Sequence, residues 1–341
     1  MKLNKTTAHV LVLLLNGAET AAVIAEQLAD HDIRSVQRGL TRLTDLHVVR
    51  RSGPSNNPTY EIRYEQLLSL AIPDKILEDE DRPASRFNHE LIDWLLDHVA
   101  ADGLDQFTGL AGRQEKSSAP SLRDLEYLTV ELSWKSSALE GNTYTLLDTQ
   151  LLLLEGVKAP NRTSFETQMV LNHKDAIKFI VEHQELFSGD ITFAAVEELH
   201  RIISYNLGIQ SGIRQRLVRI GASNYTPLAS PQQLREKADL VLAVINRAAD
   251  PGLKSLLALG LIPYLQLFED GNKRTGRMLA NAILISTIGK GFSLRSVSAR
   301  DLSLAYLAFY EFNSLDRLAR ILKAELSDDD AVAARDANRR R

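Results

Sequence analysis

The stretch QLFEDGNKRTGRMLAN, Gln266 to Asn281, concentrates an acid, a glycine, an amide and two arginines between Asp270 and Arg277, followed by an apolar run at helical spacing. Gly271 permits a tight turn, and a helix beginning near Asn272 presents unpaired backbone N–H groups and the positive end of its dipole, a combination suited to an anion. Arg274 and Arg277 lie three apart on that helix, so both guanidinium groups project on one side and can fork onto phosphate oxygens. Asp270 is placed like a carboxylate that holds a magnesium ion bridging those phosphates. The chemistry this spacing supports is the binding of a nucleotide's phosphates. Its wording is unusual, for the chain has no Gly-Lys-Ser/Thr loop, no Rossmann glycine triplet and no His-Glu-x-x-His. Gln266, four residues ahead of the acid, cannot titrate, and the histidine nearest to it in sequence is His200.

The elements that must hold these residues are legible in outline. With 341 residues the chain is long enough for two domains. Its 44% hydrophobic and 25% charged residues and net charge of −4 describe a soluble globular protein rather than a nucleic-acid coat protein. Cysteine is absent, which excludes disulfides and thiolate metal sites. The apolar run Val10 to Leu15 is too short to span a membrane and lacks a small-residue cleavage site, so a core helix, no membrane association and a cytoplasmic location are expected.

Residues 1–70 read as three helices (Thr7 to Leu15, Ala21 to Asp30, Ser35 to His47) and two short strands (Val48 to Arg51, Thr59 to Arg63). That order resembles a winged helix-turn-helix. Val36, Leu40 and Leu43 face a core, which leaves Arg34, Gln37, Arg38, Thr41 and Arg42 outward, with Arg50 and Arg51 on the wing. Residues 34–63 hold six arginines and two acids, so DNA is one candidate partner there and a protein surface the other. Residues 71–86 pair two prolines with the acidic run Glu78 to Asp81 and read as an extended, self-repelling linker.

From 87 to 325 the pattern is almost wholly helical, with helices expected near 88–101, 121–138, 146–154, 164–184, 192–204, 230–248, 253–265, 272–288, 299–312 and 314–325. Ser230-Pro231 forms an N-cap and first-turn proline, and Gly156 and Gly189 follow helix ends. The exception is Arg216 to Leu228, which reads as a small hairpin around Gly-Ala-Ser-Asn. The tail, 326–341, is charged and expected to fray.

Phe268, Asp270, Gly271, Asn272, Lys273, Arg274 and Arg277 stand in register with His-x-Phe-x-Asp/Glu-Gly-Asn-Gly/Lys-Arg-x-x-Arg, the signature of the Fic (Fido-domain) proteins, which residues 87–325 resemble. SSALEGNTYT, with Ser136, Glu140 and Gly141, resembles the inhibitory helix near 136–142 of the subclass whose brake lies upstream of the core. Residues 211–228 resemble the family's target-docking flap, and AFYEFNSLDRLARIL its C-terminal helices. The resemblance implies a mainly α Fic-type fold with a small β-hairpin flap, and protein adenylyltransferase chemistry: AMP transfer from ATP, with magnesium, to a hydroxyl of a protein target docked at the flap. By the same resemblance Asp270 carries the metal, while Asn272, Arg274 and the Gly271–Lys273 amides hold phosphates. Arg277 either holds the γ-phosphate or pairs with Glu140, and a glutamate on that arginine excludes the γ-phosphate by charge and space.

Gln266 occupies the position of the family's catalytic histidine, and Leu267 that of its usual proline. An amide cannot take the proton of an attacking hydroxyl, a loss of roughly 10²–10⁴-fold in rate. An auto-inhibited ATP-binding protein with weak or lost transferase activity is therefore expected, and a homo-oligomer is compatible with it. Two other readings share the motif: a nucleotide-sensing, DNA-binding regulator, and a protein-interaction scaffold in which Arg277 and Glu140 form a buried ion pair kept for packing.

Overall fold

The structure is a computed structural model that describes residues 3–28, 32–100, 102–111 and 122–339. Its described residues fall into two compact units, one made of residues 1–106, 218–228 and 300–318, the other of 107–217, 229–299 and 319–341.

The first unit opens with α1 (Lys5–Leu15), α2 (Ala21–Gln27) and α3 (Ile33–Asp45), each started by a side-chain N-cap, from Asn4, Thr20 and Asp32 respectively. Val10, Leu11 and Leu14 of α1 are buried with Val36, Leu40 and Leu43 of α3, so the helical spacing of the sequence becomes one apolar seam. Strands β1 (Val49–Ser52) and β2 (Thr59–Ile62) follow and pair antiparallel, Val49 opposite Ile62. The short helix α4 (Tyr64–Leu67) comes next.

Residues 71–86 are not the extended, self-repelling segment expected of them. They form α5 (Asp74–Leu77) and the short strand β3 (Ser85–Arg86). Four of their five acids pair with bases remote in sequence: Asp74 with Arg300 and Arg317, Glu78 with Arg300, and Asp79 and Asp81 with Lys5. Arg82 and Glu311 form a buried ion pair at 2.6 Å. Local charge repulsion governs a segment only when no counter-charge folds onto it.

Beyond β3 come α6 (His89–His98) and a 3-10 segment, Asp102–Phe107. The unit is completed by β4 (Tyr225–Thr226), which pairs parallel with β3, and by residues 300–318. The strand character expected in the flap is present, but it is satisfied by Ser85 and Arg86 instead of by a partner inside 211–228. Glu311 accepts hydrogen bonds from Ser223 Oγ and Asn224 N, both at 2.9 Å, and so anchors this segment.

The second unit contains α7 (Leu122–Ala138), α8 (Leu146–Glu155), α9 (Ser164–Glu182), α10 (Glu185–Ser188), α11 (Phe193–Ile203), α12 (Pro231–Arg247), α13 (Pro251–Leu265) and α14 (Asn272–Ile288). Later come α15 (Ala299–Phe312), nearly all of it in the first unit, and α16 (Asp316–Arg339), nearly all of it in the second. The tail therefore continues as helix through Arg339, in keeping with the alanines at 331, 333, 334 and 337. Among the described residues no helix is long and apolar enough to cross a membrane.

Helix α13 is buried from Gly252 to Leu265 and, Lys254 and Ser255 apart, is apolar round its circumference, as suits a central helix. Against it lies α14, and Gly276 makes their approach close: a Cβ there would stand 2.8 Å from Pro263 Cδ and 2.9 Å from Cγ. Gly276→Ala is consequently expected to destabilise the chain by about 1–3 kcal/mol in a denaturant titration, through overpacking. Helix propensity alone predicts a stabilisation of about 1 kcal/mol, so the sign of the change decides between them.

Candidate nucleotide site

The loop from Gln266 to Gly271 joins α13 to α14, and its shape is dictated by two left-handed residues. Gln266 ends α13 at φ 50°, and Gly271 caps α14 at φ 83° without a side chain to occupy the helix's first N–H groups. Asn272 stitches the loop between them. Its Oδ1 accepts from Phe268 N and its Nδ2 donates to Phe268 O, both at 2.9 Å, with Gln266 Oε1 a further acceptor at 3.3 Å. The side chain assigned to phosphate by resemblance thus serves to shape the loop.

Arg274 is buried, and its Nη2 donates to Asp270 Oδ2 at 3.1 Å. Its Nη1 is buried without a hydrogen-bond partner among the described residues. Burial holds this guanidinium below its usual pKa, against the opposing charges of Asp270 and Glu140. Asp270 remains two-thirds exposed at 67%, with Oδ1 accepting from Gly271 N at 2.6 Å. A hard carboxylate oxygen of this kind suits a magnesium ion that takes its other ligands from phosphate and water. No cluster of three His, Cys, Asp or Glu side chains competes for a metal among the described residues.

Arg277 is fully buried and engaged through Nε and Nη2 with the end of α7. Nε donates to Ser136 Oγ at 2.9 Å, while Nη2 donates to Ser136 O at 3.2 Å and to Glu140 Oε1 at 2.6 Å. Asn142 N donates to Ser137 O and Gly141 N to Ala138 O, the paired bonds of a Schellman ending, with Gly141 left-handed at φ 88°. Glu140 is therefore the capping residue of that helix, where its charge opposes the helix dipole and needs a cation. Burial pushes its carboxyl up, and the charge and hydrogen bond of Arg277 outweigh that and hold it below the usual range.

Helix α9 fixes this turn from behind. Glu166, in a capping box with Thr163, also accepts from Thr143 N at 3.0 Å and from Thr143 Oγ1 at 2.5 Å, and these bonds draw its carboxyl down to about 2. Asn142 Nδ2 donates to Glu166 O at 2.8 Å.

Gln266 is buried, its Nε2 donating to Pro263 O at 2.6 Å. Its carbonyl accepts from Arg214 Nε, also at 2.6 Å, so the residue is held at backbone and side chain alike. His200 does fold back to this loop. Its ring stacks on Phe268 at 3.7 Å and its Nε2 lies 3.0 Å from Asp270 O. A carbonyl only accepts, so Nε2 carries the proton and the basic lone pair is on Nδ1, which is buried and has no partner among the described residues. Burial lowers the pKa to about 4. His200 braces the loop, and its free lone pair is sealed away from any attacking hydroxyl.

The motif spacing identifies Asp270, Gly271, Asn272, Lys273, Arg274 and Arg277, and the separate inhibitory motif supplies Ser136, Glu140 and Gly141; the structure brings the two groups together. Arg214, Glu166 and His200 escape such a reading, because each acts from an element outside the two motifs. In the first unit, Arg34, Gln37 and Arg38 are exposed on α3 and Arg42 is half-buried. Arg50 is paired across the sheet with Glu61 at 2.5 Å, and Arg51 Nη2 reaches Ser55 O at 3.4 Å.

Residues 190–284, which include the whole loop and most of α14, match the family model described as Fic/DOC family. Over this segment the chain resembles Fic domains. The chain is 27% identical over 195 residues to Protein adenylyltransferase Fic of Nematostella vectensis, covering 56% of this chain and 45% of that one. It is also 27% identical over 174 residues to Protein adenylyltransferase fic-1 of Caenorhabditis elegans, covering 48% and 32%. The chain thus spans less than half the length of these curated relatives. Among solved structures, Fic-1 (aa134 - 508) from C. elegans superposes with a TM-score of 0.53 at 18% identity, covering 96% of this chain and 92% of that one. A Fic domain containing signaling protein from Bacteroides thetaiotaomicron superposes with a TM-score of 0.50 at 20% identity, covering 69% and 94%. The fold is that of Fic proteins, mainly helical with small two-stranded sheets.

Proposed function

We propose that this chain binds ATP with magnesium at the Asp270–Arg277 loop as an AMP-transferase-like Fic protein, restrained by Glu140 and slowed by the amide at position 266. One observation carries the reading: the buried guanidinium of Arg274 offers Nη1 without a protein partner among the described residues, beside the uncapped N-terminus of α14. A buried polar group left unsatisfied is costly and implies a ligand that satisfies it. Phosphate oxygens supply the acceptors this fork lacks, and Asp270 would hold the magnesium ion, which neutralises phosphate charge and orients the triphosphate. In this arrangement the α- and β-phosphates take the α14 amides and Arg274, while the γ-phosphate competes with Glu140 for Arg277.

Arg274→Ala is expected to weaken binding of ATP and magnesium by about 1.5–3 kcal/mol, or roughly 10- to 150-fold in Kd. Calorimetric titration of the full chain measures this. Unchanged affinity in a folded variant removes the nucleotide site from consideration.

A further inference from the structure

His173 lies at the centre of α9, fully buried and outside the Fic motif, and its hydrogen bonds admit one arrangement. Nδ1 is 2.7 Å from Met169 O and 3.3 Å from Ser137 Oγ; a carbonyl can only accept, so Nδ1 carries the proton and the serine oxygen is a second, longer acceptor. The ring is neutral, because burial holds its pKa down at about 3. Nε2 is then an acceptor, and the group it faces at 2.9 Å is Ser136 Oγ, which must donate its hydroxyl proton to the ring. With that proton fixed, the lone pairs of Ser136 Oγ are left for Arg277 Nε, also at 2.9 Å. Four groups thus form one directed chain, from Arg277 through Ser136 and His173 to Met169 O.

Resting on the reading of Glu140 as a brake, we infer that His173 is a positioning residue of that brake, holding Ser136 in the orientation that keeps Arg277 turned toward Glu140. A serine in a helix otherwise has an alternative acceptor in the carbonyl four residues earlier, here Leu132 O, and a rotor free to leave Arg277. His173 removes that freedom. The guanidinium is then gripped on its Nε edge by Ser136 and on Nη2 by Glu140, and the second contact is made in the geometry the first imposes. The same helix also holds the turn after Glu140 through Glu166, so α9 fixes the brake at both ends.

His173→Phe preserves a ring of similar size and removes both nitrogens. It is expected to tighten binding of ATP and magnesium by about fivefold, the worth of one ordinary hydrogen bond. His173→Gln, whose amide oxygen can accept at the Nε2 position, is expected to restore the affinity of the unaltered chain. In a Glu140→Gly background, His173→Phe is expected to change affinity no further. A purely structural role for the ring predicts weaker binding or none of this pattern. A folded His173→Phe variant with unchanged or weaker ATP binding, beside a Glu140→Gly variant that does tighten it, overturns the inference and leaves the brake standing. If Glu140→Gly fails to tighten ATP, the brake reading itself falls. Should His173→Phe fail to fold, nitrogen NMR of the unaltered chain decides. An Nδ1–H tautomer at His173 supports the directed chain, and an Nε2–H tautomer overturns it.

Discussion

The double variant Glu140→Gly/Gln266→His is expected to transfer AMP from ATP to itself or a protein target roughly 10²–10⁴-fold faster than either single variant. The two changes repair different defects. Glu140→Gly releases Arg277, now engaged at 2.6 Å, so that the γ-phosphate can be held and the triphosphate oriented. Alone it should tighten ATP binding and give little transfer, because no group at position 266 accepts a hydroxyl proton. Gln266→His supplies that group in surroundings suited to it. Pro263 O, which takes the Gln266 amide at 2.6 Å, can take an imidazole Nδ1–H in its place and leave Nε2 as the base. Histidine is also among the residues that tolerate the left-handed backbone found there. Alone, this change leaves the brake on. The measurement is labelling from radioactive ATP by the four chains side by side. Vigorous labelling by Glu140→Gly alone makes Gln266 no defect and gives the base's work to another group. A double variant that binds ATP and labels nothing shifts the reading to nucleotide sensing.

Acidification is expected to destabilise the chain through His173 before the carboxylates contribute. The folded-state pKa of about 3 lies far below the ordinary 6.5, so between these values the unfolded chain binds the proton and the folded one does not. Stability therefore rises with pH across that window and is lost as pH falls through it. By pH 4 the loss from this one group approaches roughly 3 kcal/mol at 1.36 kcal/mol per pH unit. Denaturant titrations of the unaltered chain and His173→Gln at pH 7 and pH 4 isolate the effect, since the variant lacks the titrating ring. A stability difference between the two chains that stays constant with pH defeats the expectation. Glu140 is drawn below 4.5, so its charge on Arg277 persists across the neutral range.

Much of the helical frame was legible because its signals are local. Helices α1, α13 and α14 and the cap at Ser230-Pro231 all follow from apolar spacing and turn chemistry within a few residues. The glycine turn into α14 was legible for the same reason. What the sequence concealed is whatever depends on a partner far along the chain. Residues 71–86 looked self-repelling because Arg300 and Arg317 could not be seen beside Asp74. The flap looked like a hairpin because Ser85 and Arg86 lie far upstream of Tyr225 and Thr226. The motif gives no sign that the Asn272 side chain bonds Phe268. His173 carries no local mark at all, since a lone histidine among apolar residues is indistinguishable from any core side chain until Ser136 is found against it.

Placing Glu140 at the terminal cap of α7, with left-handed Gly141 directly after it, also decides how much of the molecule must yield for Arg277 to be uncovered. A carboxylate in mid-helix could leave only with its whole helix, against all of that helix's packing. At a cap, the final turn alone has to open, and terminal turns are the least costly part of a helix to unwind. The contact between Glu140 and Arg277 is thereby uncoupled from the stability of the fold. Loosening it asks for the fraying of one turn, and the interior helices keep their places while it happens.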